Sequence, residues 1–313
     1  MPRNDQLSGE RGCLYLFGLM LLSLSIGCVS HAPHDSPDQA QLLVVATYSI
    51  LGDWVQIVGG DHVKVTTLVG PGGDAHTYEP TPQDSVAIHR AALVFENGLG
   101  FETWLDKMFL ASQTTAKRIV VTRELAPRKL SSTSGRQEFD PHVWHSPENA
   151  ESMVHIIADA LIERDPLHEA DYRRRADDYI KELQSLDIWI SEQVATIPEP
   201  RRRLVTTHDT FGYLADRYGF EVSSVMGSVS SEAADPAARE LAAIVDRVRA
   251  TKVPAVFTEN IINPRLTEQV AREADVRIVA TLFTDALGPP TSEGATYLEM
   301  MRFNVRTMTE ALR

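Results

Sequence analysis

The chain of 313 residues is poor in cysteine, with only Cys13 and Cys28, both near the N-terminus. No cysteine follows position 28, which excludes a disulfide framework and a cysteine-ligated zinc or iron–sulfur site from the folded body. Positive charge is also scarce, since 30 lysines and arginines face 43 aspartates and glutamates and leave a net charge of −13. A nucleic-acid partner is therefore not expected, because phosphate binding depends on clustered positive charge.

Long apolar runs are scarce as well. Leu14 to Leu24 is an uncharged, leucine-rich run of eleven residues, which is too short to cross about 30 Å of hydrocarbon but suits the core of a signal peptide. The run ends in Ser25-Ile26-Gly27-Cys28, which resembles a bacterial lipoprotein cleavage box. That resemblance implies removal of residues 1–27, lipidation of Cys28 and an extracytoplasmic location, in the periplasm or at the cell surface. Secretion without lipidation and retention of the segment as a membrane anchor are the alternatives.

Beyond a polar, proline-containing tether over residues 28–41, short β-branched runs alternate with amphipathic helical patterns. Such alternation is typical of a parallel sheet with helices on both faces. Strands are predicted at Leu42–Ala46, Val63–Val69, Ala92–Phe95, Arg118–Val121, Arg203–Thr206, Glu221–Val225, Ala255–Glu259 and Arg277–Leu282. Helices are predicted at about 50–59, from Pro82, from Pro147 to near Asp165, and at Phe211–Tyr218, Pro236–Ala250, Pro264–Ala274 and Ser292–Leu312.

The segment from Leu167 to Ile197 holds neither glycine nor proline in 31 residues. Its apolar positions keep a helical period, so we expect one helix of about 45 Å. A coiled-coil segment is one interpretation, and a rigid spine between two lobes is favoured by the α/β patterns on either side. The predicted organisation is a signal peptide (1–27), a tether (28–41), an N-terminal α/β lobe (42–166), a linker helix (167–197) and a C-terminal α/β lobe (198–313).

Four side chains that can bind a metal fall at loops where a parallel sheet places its ligands, beyond the carboxyl ends of strands. These are His76, His142, His208 and Asp285. Each predicted lobe contributes two of them, so a site in the cleft between the lobes would have a shell of four ligands. Imidazoles and a carboxylate suit zinc and also allow manganese or iron.

The other seven histidines carry weaker signals. His31 and His34 lie in the tether, and His62, His89, His155 and His168 are interpreted as solvated surface residues. His145 lies three residues after His142, and its role is open between a spare ligand and an exposed polar side chain.

Five segments together resemble one known family. They are GPGGDAHTYEPTPQD, ENGLGFETWLDKM, EFDPHVWHSPENA, VTTHDTFGYLADRYGFEV and LFTDALGPPTSEGATYLEMM, in that order along the chain. The family is that of the zinc- and manganese-binding solute-binding proteins of ABC transporters, the TroA-like (cluster 9, adhesin-type) family. The resemblance implies a two-lobed, non-enzymatic monomer that holds a metal between its lobes and delivers it to a membrane permease. The family's motifs place its metal ligands at the same four residues of this chain.

Departures from the family pattern leave the metal undecided. Zinc-specialised members often carry a histidine-rich loop and a disulfide, whereas the stretch Leu110–Phe139 has no histidine and the body has no cysteine. Manganese-specialised members often have glutamate where this chain has His208. Zinc, manganese and ferrous iron therefore all remain candidates, and His145 stands where the family usually has an apolar residue.

Two other functions stay open at this stage. A secreted metallohydrolase would need three ligands, an open coordination position and a general base, and the sequence has no His-Glu-x-x-His pair. A siderophore- or cobalamin-binding protein would line its pocket with aromatic or arginine side chains. For a metal site, Asp140, Asp209 and Glu259 are the candidates to orient the ligand rings. Metal affinity should fall as the pH drops toward the ordinary histidine pKa of about 6.5, because a ligating imidazole must be neutral.

Overall fold

The computed structural model describes residues 40–130, 138–226, 238–251, 253 and 255–313. The predicted signal peptide, Cys28, His31, His34 and nearly all of the tether lie outside the described residues. The described helices are α1 (Ser49–Gly59), α2 (Pro82–Arg90), α3 (Leu105–Ala111), α4 (Pro147–Arg164), α5 (Glu169–Ala195), α6 (Gly212–Tyr218), α7 (Ala238–Thr251), α8 (Arg265–Ala274) and α9 (Tyr297–Leu312). The described strands are β1 (Leu42–Tyr48), β2 (Val63–Val69), β3 (Leu93–Glu96), β4 (Lys117–Val120), β5 (Lys129–Leu130), β6 (Glu138–Phe139), β7 (Arg203–Thr206), β8 (Glu221–Ser224), β9 (Ala255–Glu259) and β10 (Arg277–Leu282).

The first lobe is built on a parallel sheet with the strand order β2-β1-β3-β4. The last five residues of β1 are buried, as expected for a central strand covered on both faces. Tyr48 at the end of β1 pairs with Val69 at the end of β2, so these strands end at the same edge. The loop that follows β2 leaves from this edge and carries His76.

The second lobe contains two parallel pairs, β7 with β8 and β9 with β10. The pairs neighbour each other through β7 and β9. The loops after β7 and β10 carry His208 and Asp285. The prediction of an α/β fold with mostly parallel strands flanked by helices is confirmed.

The predicted linker helix forms α5, which is 27 residues long and therefore about 40 Å. A 3-10 turn at Pro166–His168 precedes it. Its buried residues are Tyr172, Ala176, Tyr179, Ile180, Leu183, Leu186, Ile190 and Val194, and they pack against α1, α4 and α9 of the same chain. The helix is thus a packed spine rather than a coiled-coil arm. Neither it nor any other described helix is both long and apolar enough to cross a membrane.

Several elements differ from the sequence prediction by more than two residues. The short helix α3 and the β5–β6 hairpin had not been predicted, since neither spans enough residues to show a period. The last helix begins at Tyr297 and not at Ser292, because Thr296 and Glu299 form a capping box there. The start of the predicted helix Pro236–Ala250 lies outside the described residues.

The loop after β10 is hydrogen-bonded to the first lobe. Trp144 Nε1 donates to the carbonyl of Thr284 at 2.9 Å. The backbone N–H of Leu287 donates to Ser49 Oγ at 2.9 Å, and its carbonyl accepts from the N–H of Gly72 at 2.8 Å. These bonds flank Asp285 on both sides in sequence and hold it against the first lobe.

Candidate metal centre

The structure brings together the four side chains singled out from the sequence. His76 lies in the loop after β2, His142 between β6 and α4, His208 directly after β7, and Asp285 after β10. Each of the four is buried, and one ligand atom from each lies within 4.8 Å of all the others. Residues far apart in sequence therefore meet at one point because the loops converge there.

The distances between these atoms match a tetrahedral coordination shell. His142 Nε2 lies 3.2 Å from His76 Nε2 and 3.3 Å from His208 Nε2. Asp285 Oδ2 lies 3.3, 3.2 and 3.6 Å from the Nε2 atoms of His76, His208 and His142 respectively. A tetrahedron's edge is about 1.6 times its centre-to-corner distance, so zinc–nitrogen bonds of about 2.0–2.1 Å give edges of about 3.3–3.4 Å.

Carboxylates orient two of the three rings. Asp140 Oδ1 accepts hydrogen bonds from His142 Nδ1 at 2.8 Å and from the His142 backbone N–H at 3.0 Å. Glu259 accepts in the same way from His208 Nδ1 and from the His208 backbone N–H. Because a carboxylate can only accept, Nδ1 carries the proton and Nε2 is the atom that can bind a cation. Asp140 and Glu259 are thus confirmed as ring partners, whereas half-buried Asp209 is hydrogen-bonded to neither ring.

The buried carboxylates give the cluster a strong preference for positive charge. Burial lowers the pKa of His142, but the charge of Asp285 and the hydrogen bond to Asp140 outweigh it and raise that pKa to about 9. Burial also lowers the pKa of His208. The charges of Glu259 and Asp285 outweigh this effect and raise that pKa well above its usual value. Burial raises the pKa of Asp285, but the two histidines hold it well below its ordinary range.

One atom at the centre lacks a hydrogen-bond partner. Asp285 Oδ2 is buried and accepts no hydrogen bond, although it faces the three Nε2 atoms. A buried carboxylate oxygen without a hydrogen-bond donor is costly unless positive charge lies beside it. Three imidazole nitrogens and this oxygen, at these distances, fit a divalent transition metal ion.

Arg128 extends the cluster in a way that sequence reasoning missed. Its Nη1 donates to Asp140 Oδ2 at 2.7 Å, and its Nε donates to Asp216 Oδ2 on α6 at 2.6 Å. The hydroxyl of Tyr213, also on α6, donates to the Asp140 carbonyl at 2.8 Å. Asp140 is therefore held in place by contacts from a helix of the second lobe. No motif in the sequence marks Arg128, which lies in a loop just before β5.

His145 is neither an exposed side chain nor a member of the four-residue cluster. It is fully buried, so the interpretation as an exposed residue is wrong. Its Nε2 lies 3.2 Å from Thr210 Oγ1, and its Nδ1 has no hydrogen-bond partner. Burial lowers the pKa of His145 to about 3, so the ring is neutral at physiological pH.

The remaining described histidines lie away from the cluster. His89 and His155 are exposed, as predicted. His62 and His168 are half-buried instead of fully solvated, and their rings stack with centroids 3.8 Å apart. Each of these two rings also lies within ion-pair distance of an aspartate outside the four-residue cluster.

Comparisons with known proteins identify the family of this chain. A family model described as "Zinc-uptake complex component A periplasmic" matches residues 44–311. The manganese-binding lipoprotein MntA of Halalkalibacterium halodurans is 33% identical over 299 residues, which cover 95% of this chain and 98% of that protein. The iron-binding protein YfeA of Yersinia pestis is 31% identical over 296 residues, or 94% of either chain. The solved periplasmic zinc binding protein TroA from Treponema pallidum has a TM-score of 0.81 and 30% identity, and the match covers 87% of this chain and 99% of that one. The chain therefore belongs to the zinc-uptake complex component A family, the TroA-like group that its sequence resembles.

Proposed function

We propose that this protein is an extracytoplasmic solute-binding protein that captures one divalent transition metal ion and delivers it to the membrane permease of an ABC transporter. The ligands are His76, His142, His208 and Asp285. The protein acts as a monomer and catalyses no reaction, in keeping with a family of substrate-binding transport proteins.

The convergence of three imidazole Nε2 atoms on one unpartnered carboxylate oxygen carries this proposal. Five of the atom-to-atom distances lie between 3.2 and 3.6 Å, which suits an ion at the centre. Four protein ligands fill a tetrahedral shell, so no position is left for a water molecule that a metallohydrolase would activate. The small central gap and the burial of all four side chains also argue against an organic ligand such as a siderophore or cobalamin.

Zinc is the metal that this ligand set suits best. Three neutral nitrogen donors and one carboxylate are typical of zinc, and zinc binds more tightly than manganese or ferrous iron at most such sites. Manganese and ferrous iron stay within the proposal, since relatives are named for manganese and for iron as well as zinc.

Membrane attachment completes the proposed function. We infer that Cys28 becomes the lipidated N-terminus after removal of residues 1–27, and that the tether to about residue 41 lets the two lobes reach the permease. In cells, a Cys28→Ser variant should appear in the soluble extracytoplasmic fraction, whereas the wild type should stay with the membrane. Equal partition of both proteins would contradict lipidation at this residue.

Direct metal analysis tests the central proposal. Protein purified without added metal is analysed for its elemental content, stripped with a chelator, and titrated with zinc, manganese and ferrous iron. We expect one ion per chain and a higher melting temperature with metal, since metal at 100 times the dissociation constant adds about 2.7 kcal/mol to the free energy of unfolding. Stripped protein that shows no thermal shift with any of these metals would refute the proposal.

Alanine variants test the ligand assignment. Each of His76→Ala, His142→Ala, His208→Ala and Asp285→Ala should weaken binding strongly while the metal-free protein stays folded, since these side chains lie in loops. The controls are His89→Ala and His155→Ala, which remove exposed histidines. Equal losses in controls and ligand variants would show that the assignment is wrong.

A further inference from the structure

The two oxygens of Asp285 have different surroundings. Oδ2 faces the three Nε2 atoms, whereas Oδ1 accepts a hydrogen bond from Thr210 Oγ1 at 3.1 Å. Thr210 is fully buried and follows the ligand His208 by two residues. The same loop after β7 therefore supplies one ligand directly and also contacts a second ligand from β10.

The carboxylate of Asp285 determines the direction of the hydrogen bonds that link it to Thr210 and His145. His145 Nε2 lies 3.2 Å from Thr210 Oγ1, and a hydroxyl has one proton to donate. A carboxylate only accepts, so Thr210 donates to Asp285 and accepts from the N–H at His145 Nε2. That tautomer leaves His145 Nδ1 without a proton, and Nδ1 is the ring atom that has no partner. The arrangement therefore leaves no buried N–H donor of the ring unsatisfied.

We propose that Thr210, supported by His145, is a specificity-determining residue that restricts Asp285 to one metal-binding oxygen and so favours four-coordinate zinc over manganese. This inference rests on the proposed function, since it requires that Asp285 binds the metal. Neither residue contacts the ion. Both are positioning residues, and they act through the carboxylate.

A second bond from Asp285 to the metal would disrupt the hydrogen bond between Thr210 and Asp285. For Asp285 to bind through both oxygens, Oδ1 must turn from Thr210 toward the ion. The hydrogen bond from Thr210, already 3.1 Å long, would then be stretched and weakened in a fully buried site, which is costly. Manganese favours shells with more oxygen ligands, whereas zinc is satisfied by four ligands. The hydrogen bond therefore penalises manganese more than zinc.

The test is a Thr210→Val variant, which keeps the branched shape and removes the hydroxyl. Zinc and manganese dissociation constants are measured by competition titration at the same pH for wild type and variant. Loss of a residue that orients a ligand typically costs 10- to 100-fold in affinity, so we expect the zinc-to-manganese affinity ratio to fall about tenfold. A ratio that stays within about threefold of wild type, or that moves toward zinc, overturns the proposal.

Cobalt(II) provides a readout that a merely structural role would not change. Four-coordinate cobalt(II) absorbs visible light much more strongly than five- or six-coordinate cobalt(II). The Thr210→Val protein should therefore show weaker visible absorption at saturation than wild type. An unchanged spectrum would mean that Asp285 does not change its coordination, which also overturns the proposal.

Further variants separate this role from general damage. Thr210→Ser retains the hydroxyl and should restore the wild-type ratio. Thr309→Val is the matched control, since Thr309 is a buried threonine whose hydroxyl donates to the Val305 carbonyl on α9, and it should leave the ratio unchanged. His145→Leu should lower the ratio by a smaller factor and have no further effect in the Thr210→Val background. If Thr210→Val does not fold, His145→Leu and Thr210→Ser still test the hydrogen bonds from His145 through Thr210 to Asp285. A zinc-to-manganese ratio in His145→Leu equal to that of the wild type then overturns the proposal.

The outcomes also separate this inference from the proposed function. Wild-type protein that binds no metal would refute the proposed function and with it the role of Thr210. Wild-type protein that binds metal, with an unchanged ratio in Thr210→Val, would refute only the role of Thr210.

Discussion

Replacement of Asp140 by asparagine should weaken metal binding without touching a metal ligand. Asp140 is fully buried and accepts hydrogen bonds from His142 Nδ1 at 2.8 Å, from the His142 N–H at 3.0 Å and from Arg128 Nη1 at 2.7 Å. An asparagine of the same shape has one acceptor oxygen and one donor group. Whichever way its amide turns, a donor faces either Arg128 or His142, and the negative charge that supports the ring is gone.

The expected loss follows from what such orienting partners contribute. Their removal lowers metal affinity by about 10- to 100-fold. At a metal concentration 100 times the wild-type dissociation constant, metal stabilises the wild type by about 2.7 kcal/mol. The variant would retain about 1.4 kcal/mol after a tenfold loss and about 0.4 kcal/mol after a hundredfold loss. For a chain of this size, at about 2 °C per kcal/mol, the metal-induced shift in melting temperature should shrink by about 3–5 °C.

The matched control is Asp216→Asn. Asp216 also accepts a hydrogen bond from Arg128, at 2.6 Å from Nε, but its side chain is 63% exposed and touches no metal ligand. Exposed ion pairs contribute little, so this variant should bind metal as the wild type does. Thermal shifts with and without metal are measured for all three proteins, together with the metal-free melting temperatures.

Equal metal affinity in Asp140→Asn and Asp216→Asn would refute the argument that Asp140 orients His142. A metal-free Asp140→Asn protein that is itself unfolded would instead make Asp140 a residue needed for stability. In that case the corresponding Glu259→Gln variant, on the other oriented ring, is the test of the same reasoning. It should lose affinity by a similar factor.

Further predictions follow from the same contacts. Metal affinity should rise with pH through the neutral range, because the metal must displace a proton from His142, whose pKa is raised to about 9 in the metal-free chain. Absence of proton release in calorimetric titrations at pH 7.5 would contradict this. The same raised pKa stabilises the metal-free protein fully below a pH of about 6.5, and this stabilisation is lost as pH rises through about 9, so the metal-free melting temperature should fall over that range. A Gly212→Ala variant should bind metal more weakly, since a Cβ there would lie 1.7 Å from Arg128 Nη1 and 2.7 Å from Asp140 Oδ2 and would displace the arginine; wild-type affinity would show that Arg128 is dispensable. Small-angle scattering should give nearly the same radius of gyration with and without metal, because α5 is packed along its length, and a large change would count against a rigid spine.

Much of the fold was predictable because its elements carry strong local signals. The strands Val63–Val69, Arg203–Thr206, Ala255–Glu259 and Arg277–Leu282 have the bounds that the sequence predicts, since β-branched runs favour extended backbone and lie between polar or glycine-containing segments. The bounds of α4 were predictable in the same way, from the proline at its start and the Asp-Pro at its end. Short elements such as α3 carry no comparable signal.

The ligand set was predictable for a topological reason. In parallel sheets the carboxyl ends of strands share an edge, so polar residues just beyond different strands meet there. That rule applies to His76, His208 and Asp285, which follow the parallel strands β2, β7 and β10. His142 was assigned by the same rule, but the structure places it after β6, which pairs antiparallel with β5. The rule could not say which ring each carboxylate supports. Asp140 is two residues from His142, but Glu259 is 51 residues from His208, and only packing brings them together.

The sequence by itself determined the order of the longer elements, the parallel α/β class, the long spine and the four residues that converge, because these follow from periodicity, turn chemistry and strand ends. Only the tertiary structure decided that His145 is buried, that Thr210 contacts one oxygen of Asp285 and that Arg128 reaches Asp140. Burial and hydrogen bonding depend on which loops lie next to each other, and a residue in a short turn has no period that reports its neighbours. The four residues that converge can therefore be predicted from the sequence, whereas the groups that orient their side chains are seen only in the folded chain.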